Sequence, residues 1–512
     1  MPLAYLIGID VGTSGTKTLL ADADGRIAAR ATVDYPLHAP RPAWAEQDAE
    51  DWWNAAVEGI RRVLNEASVR PEDVAGIGVT GQMHSSVLLD AAGRVVRPPI
   101  LWCDGRTTAE CRQIEADVGG RARLIELTGN PALEGFTAPK LVWLRNHERA
   151  SYDRIKTVML PKDYIRYRLT GEIATDVSDA AGTLLYDVRR REWSSPVVES
   201  LGLDPAWLPR VAESAEVVGA VTQAAAELTG LNAGTPVVAG GADNTCGAIG
   251  AGVVRPGQAL VSIGSSGVVF VPTEEPRLHP DGIVHTFVHS VPDTWYVMGV
   301  TLAAGLSLRW VRDELGHLEQ GAARLLDADA YDLLSAQAAQ APAGSAGLYF
   351  LPYLTGERTP HADSSARGVW FGLSTSHKRA HLIRSVFEGI TYSLRDALDA
   401  IRAMGVDVAE VRLVGGGARS TFWHQLTADV LGVAAARMQM DEGPGFGALL
   451  LAGVGSGVFN DIFEATERTV RLRDSVQPDA AAARDYAERF AFYRSLYPAL
   501  KQSFAEVARW QV

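Results

Sequence analysis

The chain has 512 residues, with 61 acidic against 48 basic side chains and a net charge of −13. That length suggests two or three domains, and the acidity excludes nucleic acid or an anionic membrane as the main partner. No apolar run approaches the roughly 18 residues of a membrane helix, and three cysteines (Cys103, Cys111, Cys246) behind a start without a leader-like segment lead us to expect a reducing cytoplasm.

The N-terminal segment reads as a β-meander. An apolar strand over Tyr5–Gly12 enters a Thr13-Ser14-Gly15 turn and returns over Thr16–Ala21. Asp24-Gly25 is a strong hairpin signal, and a third strand follows over Arg26–Val33. Asp48 is placed to cap the next helix, which brings Trp52, Trp53, Ala56, Val57, Ile60, Val63 and Leu64 to one face. A strand over Val74–Thr80 comes next, and Ser85–Leu89 reads as extended. Strands alternating with helices predict an α/β layered fold.

A similar piece recurs downstream: a strand over Ala259–Ile263, a turn over Gly264–Gly267 and a return strand over Val268–Pro272. Residues 9–15 (IDVGTSG) and 261–267 (VSIGSSG) match closely, which suggests internal duplication with a boundary near residue 250, in the Gly-rich stretch Gly247–Gly257. A long helix carries the stripe Leu382, Ile383, Val386, Phe387, Ile390, Leu394, Leu398 and Ile401. A strand over Val411–Val414 then enters Gly415-Gly416-Gly417, with a helix from about Thr421. Ala448–Gly453 is a small-residue helical stretch. The Ala-rich tail, Ala480–Gln511, is a closing helix with Phe490, Phe492, Tyr493, Leu496 and Tyr497 to pack.

Glycine, at 50 residues, is in excess: roughly 10% against an average of about 7%. The glycines gather at 8–15, 240–257, 264–267 and 415–417, where backbone is expected to approach phosphate, sugar or base. Gly12–Thr18 is not a P-loop, because Thr16 stands where glycine must precede the lysine and strand, not helix, follows. Gly76, Gly78 and Gly81 give G-x-G-x-x-G inside a strand, which excludes a dinucleotide site. The tight turns at Thr13 and Ser265 read either as plain hairpins or as backbone nests for phosphate. Asp10, beside the first, is either a local turn bond or a Mg²⁺ ligand. Asp243, after the strand Pro236–Ala239, is either a general base or a helix N-cap. His84 is either structural or functional, and Asp104 and Arg106 are either an ion pair or part of a polyol site.

From about Tyr5 to Gly453 the chain resembles the FGGY carbohydrate kinases, within the sugar kinase–actin–Hsp70 superfamily. The resemblance is carried by two long segments: Gly135 to His147, and Gly368–Leu373 through His381-Leu382 to Ser385–Glu388. The segments 81–84, 101–107, 161–171, 175–180 and 351–361 are similar to the subgroup acting on the ketose D-xylulose. Ser85 and Cys103 depart from its pattern.

The resemblance implies two ribonuclease H-like α/β lobes, 1–250 and 251–512, with a cleft between them. ATP would lie mainly on the second lobe and the sugar mainly on the first. It implies ATP-dependent phosphorylation of D-xylulose, with Asp243 as general base and Met83, His84 and Asn244 at the sugar. Asp10 would hold Mg²⁺. Thr13, Ser14, Lys17 and Ser265 would meet the phosphates, and Gly305, Gly416, Gly417 and Ser420 would lie at the nucleotide. The alternatives are a kinase for another sugar or polyol, such as ribulose or gluconate, and an actin- or Hsp70-like ATPase module. A homodimer is left open.

Overall fold

The structure is a computed structural model that describes residues 4–510. Two seven-stranded mixed sheets organise it. The first runs from edge to edge through Val217–Ala220, Pro236–Val238, Val74–Gly81, Tyr5–Val11, Gly15–Asp22 and Ile27–Asp34, with Gly241–Ala242 also paired to Val74–Gly81. The second runs through Leu472–Val476, Ala434–Met438, Val408–Val414, Gly257–Ile263, Gly267–Thr273, Trp295–Thr301 and His285–Val288.

Their strand directions correspond. In each, an antiparallel edge strand precedes three parallel strands, and antiparallel hairpins close the other side. The likeness read from seven residues therefore extends across both sheets. Parallel neighbours require a crossover. Helix Ala49–Ala67 supplies it in the first sheet and helix Arg379–Arg402 in the second. Asp48 caps the former by accepting from the Glu50 N–H, and Trp52, Trp53, Ile60 and Val63 are buried against the sheet as the periodicity predicts.

The tail helix spans Ala480–Ala508; Gln511, the end predicted for it, lies outside the described residues. It buries Tyr486, Phe490, Tyr493, Leu496 and Tyr497 in the core of the second sheet. Phe492, expected to pack there, is instead 44% exposed, because it falls on the opposite side of the helix, against Tyr349 and Phe371. Among the described residues no helix is long and apolar enough to cross a membrane.

Helix Pro444–Gly455, from the second half of the chain, packs across the first sheet. A Cβ on Gly78 would fall 1.9 Å from the Ala448 carbonyl oxygen, and one on Gly8 would meet the Gly445 carbonyl. Part of the glycine excess thus admits a helix onto a sheet, and Gly8 is no ligand contact as the sequence suggested.

A methyl group at Gly78 has only backbone to displace. Gly78→Ala is expected to destabilise the protein by about 2–3 kcal/mol through overpacking. Gly321, in helix His317–Leu326, has open space at its Cβ position. Gly321→Ala is therefore expected to add about 0.5–1 kcal/mol. Thermal unfolding of the two variants should move in opposite directions.

Candidate active site

The parallel strands of the first sheet end at the site. Asp10 lies opposite Lys17 and Thr80 in the strand registers, and Gly241 lies opposite Thr80 from the other side. Two residues later Asp243 opens helix Asp243–Gly250. Ala242 holds the N-cap position without a side-chain bond, so Asp243 is the first residue inside the helix and does not cap it. Its Oδ1 accepts only the adjacent Asn244 N–H, at 2.7 Å.

Neither Asp10 nor Asp243 has an ion-pair partner among the described residues. Lys17 is turned to Glu442, at 2.7 Å from its carboxylate, and also donates to the Glu442 carbonyl at 2.8 Å. Burial pushes the Asp10 carboxyl up to about 7 against the pull of Lys17. Burial, with the Asp10 charge added, also pushes Asp243 up to about 7.

Behind Asp243 lies a cluster of buried charge. Lys162 Nζ is 2.6 Å from Asp163, 3.0 Å from Asp176 and 3.4 Å from Asp179, and Arg166 is 2.9 Å from Asp163. Ser178 Oγ donates to Asp176 at 2.5 Å and accepts the Ala242 N–H at 2.9 Å. The cluster thereby fixes the backbone just before Asp243.

Four cavities form a row, each sharing lining residues with the next. The first, of about 240 Å³, is lined by Met83, His84, Trp102, Phe136, Asp243 and Asn244, and also by Ser266, His285, Phe287 and Arg358. Its walls come nearly equally from either side of residue 250, where the sequence pointed mainly to the first lobe. The second, of about 250 Å³, runs from Asp243 and Asn244 past Ser262 to Gly415 and the segment Asp441–Pro444. A shallower cleft at Gly415, Gly416 and Arg419 leads on to the last cavity. That one, of about 530 Å³, is lined by Ser265, Gly305, Arg309, Tyr331, Ser335, Gly416, Gly417, Ser420 and Trp423, all beyond residue 250.

The predicted residues thus fall into groups. Met83, His84, Asp243 and Asn244 share one cavity, with Asn244 Nδ2 3.3 Å from Met83 Sδ. Ser265, Gly305, Gly416, Gly417 and Ser420 share another. Ser420 also caps helix Thr421–Leu431 by accepting the Trp423 N–H, and Gly305 donates its N–H to the Gly264 carbonyl at 2.8 Å. Thr13, Ser14, Lys17 and Asp10 line none of these cavities. The Thr13 hydroxyl accepts from Trp102 Nε1 at 3.0 Å, and Ser14 is an exposed turn residue whose carbonyl accepts from Tyr35.

His84 sits at φ 69°, a left-handed conformation uncommon for histidine. Its carbonyl is held there by Thr137 Oγ1 and Lys140 Nζ, both at 2.9 Å. Asp104 and Arg106 form a buried ion pair at 2.7 Å, with the guanidinium 3.6 Å from the Trp44 ring, which settles them as structural. Phe136, His285, Phe287 and Arg358 escaped the sequence reading; only Phe136 and Arg358 lay inside segments noted there, and no local pattern marks the others.

With this geometry in view, comparison with known proteins is direct. The N-terminal domain of the FGGY family of carbohydrate kinases matches residues 5–250, and its C-terminal domain matches residues 259–456. The chain is 40% identical to the xylulose kinase of Bacillus subtilis over 97% of each chain. It is 41% identical to that of Escherichia coli, over 96% of this chain and 99% of the other. The crystal structure of a xyloylose kinase from Brucella ovis superposes with a TM-score of 0.88 at 36% identity, covering 97% of this chain and 99% of that one. The chain belongs to the FGGY family of carbohydrate kinases. Its two α/β lobes are of the ribonuclease H-like, actin-type kind, and it is a sugar kinase with ATP as co-substrate.

A carboxyl raised in the folded state costs stability once it ionises. That cost is absent below about 3.8, where the acid is protonated in both states, grows as pH rises above that value, and is complete above about 7. Asp243→Asn is therefore expected to raise the melting temperature of the ligand-free protein by more at pH 8 than at pH 5. Calorimetry at the two pH values checks this.

Proposed function

We propose that this chain is an ATP-dependent xylulose kinase, transferring the γ-phosphoryl group of ATP to the O5 hydroxyl of D-xylulose. The observation that carries the reading is the place of Asp243, which lines both the sugar-sized cavity and the passage leading towards the Gly415–Gly417 backbone. The full-length likeness to xylulose kinases supports the choice of sugar. Three free cysteines fit a cytoplasmic enzyme.

The Asp243 carboxylate accepts the proton of the terminal hydroxyl as its oxygen attacks the γ-phosphorus, and ADP leaves in line. A base poised near neutrality suits that task, and its fixed position at a helix start keeps it aimed into the cavity. Met83, His84 and Asn244 orient the sugar. Thr13, Ser14, Lys17 and Ser265 serve the phosphates, and Gly305, Gly416, Gly417 and Ser420 the nucleoside. Bare glycine backbone at Gly416, with open space where a side chain would stand, lets a flat base approach.

Asp10 is a buried carboxylate without an ion-pair partner, a hard-oxygen donor that fits Mg²⁺ held through water. Such an ion would neutralise charge on the transferring phosphoryl group.

In a coupled ADP assay, turnover is expected with D-xylulose and to be much weaker with D-ribulose or D-gluconate. Asp243→Ala should lower kcat by about 10²–10⁴; unchanged turnover contradicts its role. For the wild type, kcat/KM for the sugar should fall as pH drops below about 7, because Asp243 then holds a proton and cannot act as a base. Asp10→Asn should raise the Mg²⁺ concentration needed for half-maximal rate, and an unaltered metal titration removes Asp10 from the ion.

A further inference from the structure

The sugar cavity contains one charge that this phosphoryl transfer does not use. Arg358 lines it, between the strand Tyr349–Leu351 and the strand Val369–Phe371. Among the described residues its guanidinium makes no hydrogen bond, ion pair or ring contact; only its backbone is engaged. The carboxylates of Glu134 and of the adjacent Glu357 are near enough for their charge to act on it, but neither forms an ion pair with it. Glu357 Oε1 accepts the backbone N–H groups of Leu302 at 2.9 Å and Arg358 at 2.8 Å, and its Oε2 accepts from Ser393 Oγ at 3.0 Å. Burial holds that carboxyl up at about 7, so at neutral pH it is only partly ionised.

Of the other polar groups of the cavity, Asp243, His84 and His285 present acceptors, while Asn244 and Ser266 can also donate. His84 Nδ1 is 2.6 Å from the Gly182 carbonyl, and His285 Nδ1 is 3.0 Å from Asn130 Oδ1. Both partners accept, so each Nδ1 carries the hydrogen and each Nε2 is left a bare acceptor. Burial keeps both rings neutral, and the Arg358 charge pushes the same way. Thr359, the next residue, donates its N–H to the Val300 carbonyl at 2.9 Å and its hydroxyl to the Ile283 carbonyl at 2.9 Å, which seats Arg358 on the wall of the cavity that His285 and Val300 build, whereas Asp243 enters from the first sheet.

A ligand in this cavity meets acceptors for its hydroxyl hydrogens and, on the wall of His285 and Val300, a guanidinium that can only donate. A partly desolvated, unpaired guanidinium gains most from an oxygen that can only accept, and more still from an anion. We propose that Arg358 selects an acceptor-only oxygen at the end of the substrate remote from Asp243: the C2 carbonyl of an open-chain ketose, or the carboxylate of a sugar acid in its place. The ketose half rests on the kinase reading above; the binding of sugar acids does not. Sugar acids are thus a second class of ligand for this site, and a polyol of equal length, with a hydroxyl at C2, is a poorer one.

The test uses the full-length protein, Arg358→Met and Arg358→Lys, with D-xylulose, xylitol and D-xylonate. Titration calorimetry should detect D-xylonate on the wild type, in competition with D-xylulose, and xylitol at least about tenfold more weakly. Arg358→Met should lose D-xylonate and raise KM for D-xylulose by about 10- to 100-fold, the loss expected of a charge-assisted hydrogen bond, with KM for ATP altered less than twofold. Arg358→Lys, which keeps the charge without the planar fork, should fall between, and serves alone if the Met variant does not fold. D-xylonate that fails to bind the wild type, or binds the variants equally, overturns the proposal, as does an unchanged KM for D-xylulose. If instead the wild type does not turn over D-xylulose at all, the kinase reading fails while the Arg358-dependent binding of D-xylonate still decides this one.

Discussion

Helix Pro444–Gly455 lies so near its neighbours that backbone touches backbone. On one side its Ala448 carbonyl occupies the place of a side chain at Gly78; on the other, a Cβ on Gly447 would fall 1.9 Å from the carbonyl oxygen of Cys246, inside the helix that Asp243 begins. The strands that carry Asp10 and the helix that carries Asp243 are thus locked to one element from the far end of the chain. Such contacts admit no rotamer adjustment, and close-packed interiors transmit displacement rather than absorb it. The relative placement of the two carboxylates follows from this contact.

Charge is treated in opposite ways a short distance apart. Lys162, Asp163, Arg166 and Asp176 pair within a dry cluster, where removal of any partner would leave a buried charge uncompensated. That cluster holds the Ala242 amide through Ser178. By contrast, Asp243 and Arg358 in the cavities, and Asp10 beside them, have no ion-pair partner among the described residues. Unpaired groups in a cleft cost stability, and a bound ligand can return that cost as affinity and selectivity. The protein's net negative charge bears little on ATP, because of the three carboxylates that line the passage, Glu442 and Asp441 are engaged by Lys17 and the Gly415 amide.

Much of this was legible in the sequence. Alternation and the Asp24-Gly25 turn place the meander, and the seven-residue likeness between 9–15 and 261–267 indicates two related sheets. Asp243 was balanced between base and cap on its neighbours alone; resemblance tipped it, and the structure removes the cap by giving that position to Ala242. What was not legible depends on contacts distant in sequence. His285, Phe287 and Arg358 reach a cavity begun by Met83 and His84, some two hundred residues or more away, and nothing in their own segments shows which wall they face. Gly8 was read as a ligand glycine and Gly78 only as part of a G-x-G-x-x-G inside a strand, because the helix that needs them lies more than three hundred residues on. Phe492 was assigned to the core by composition, although its neighbours on the helix already filled that face.

The central claim is that the base at Asp243 directs the γ-phosphoryl group of ATP onto the terminal hydroxyl of a five-carbon ketose. Phosphorus NMR of a reaction holding ATP, Mg²⁺ and D-xylulose tests it most directly. One new phosphomonoester is expected, formed in equal amount with ADP, whose phosphorus couples to the C5 protons of the sugar. ADP and inorganic phosphate without a sugar phosphate, or a phosphomonoester on another carbon, would contradict it.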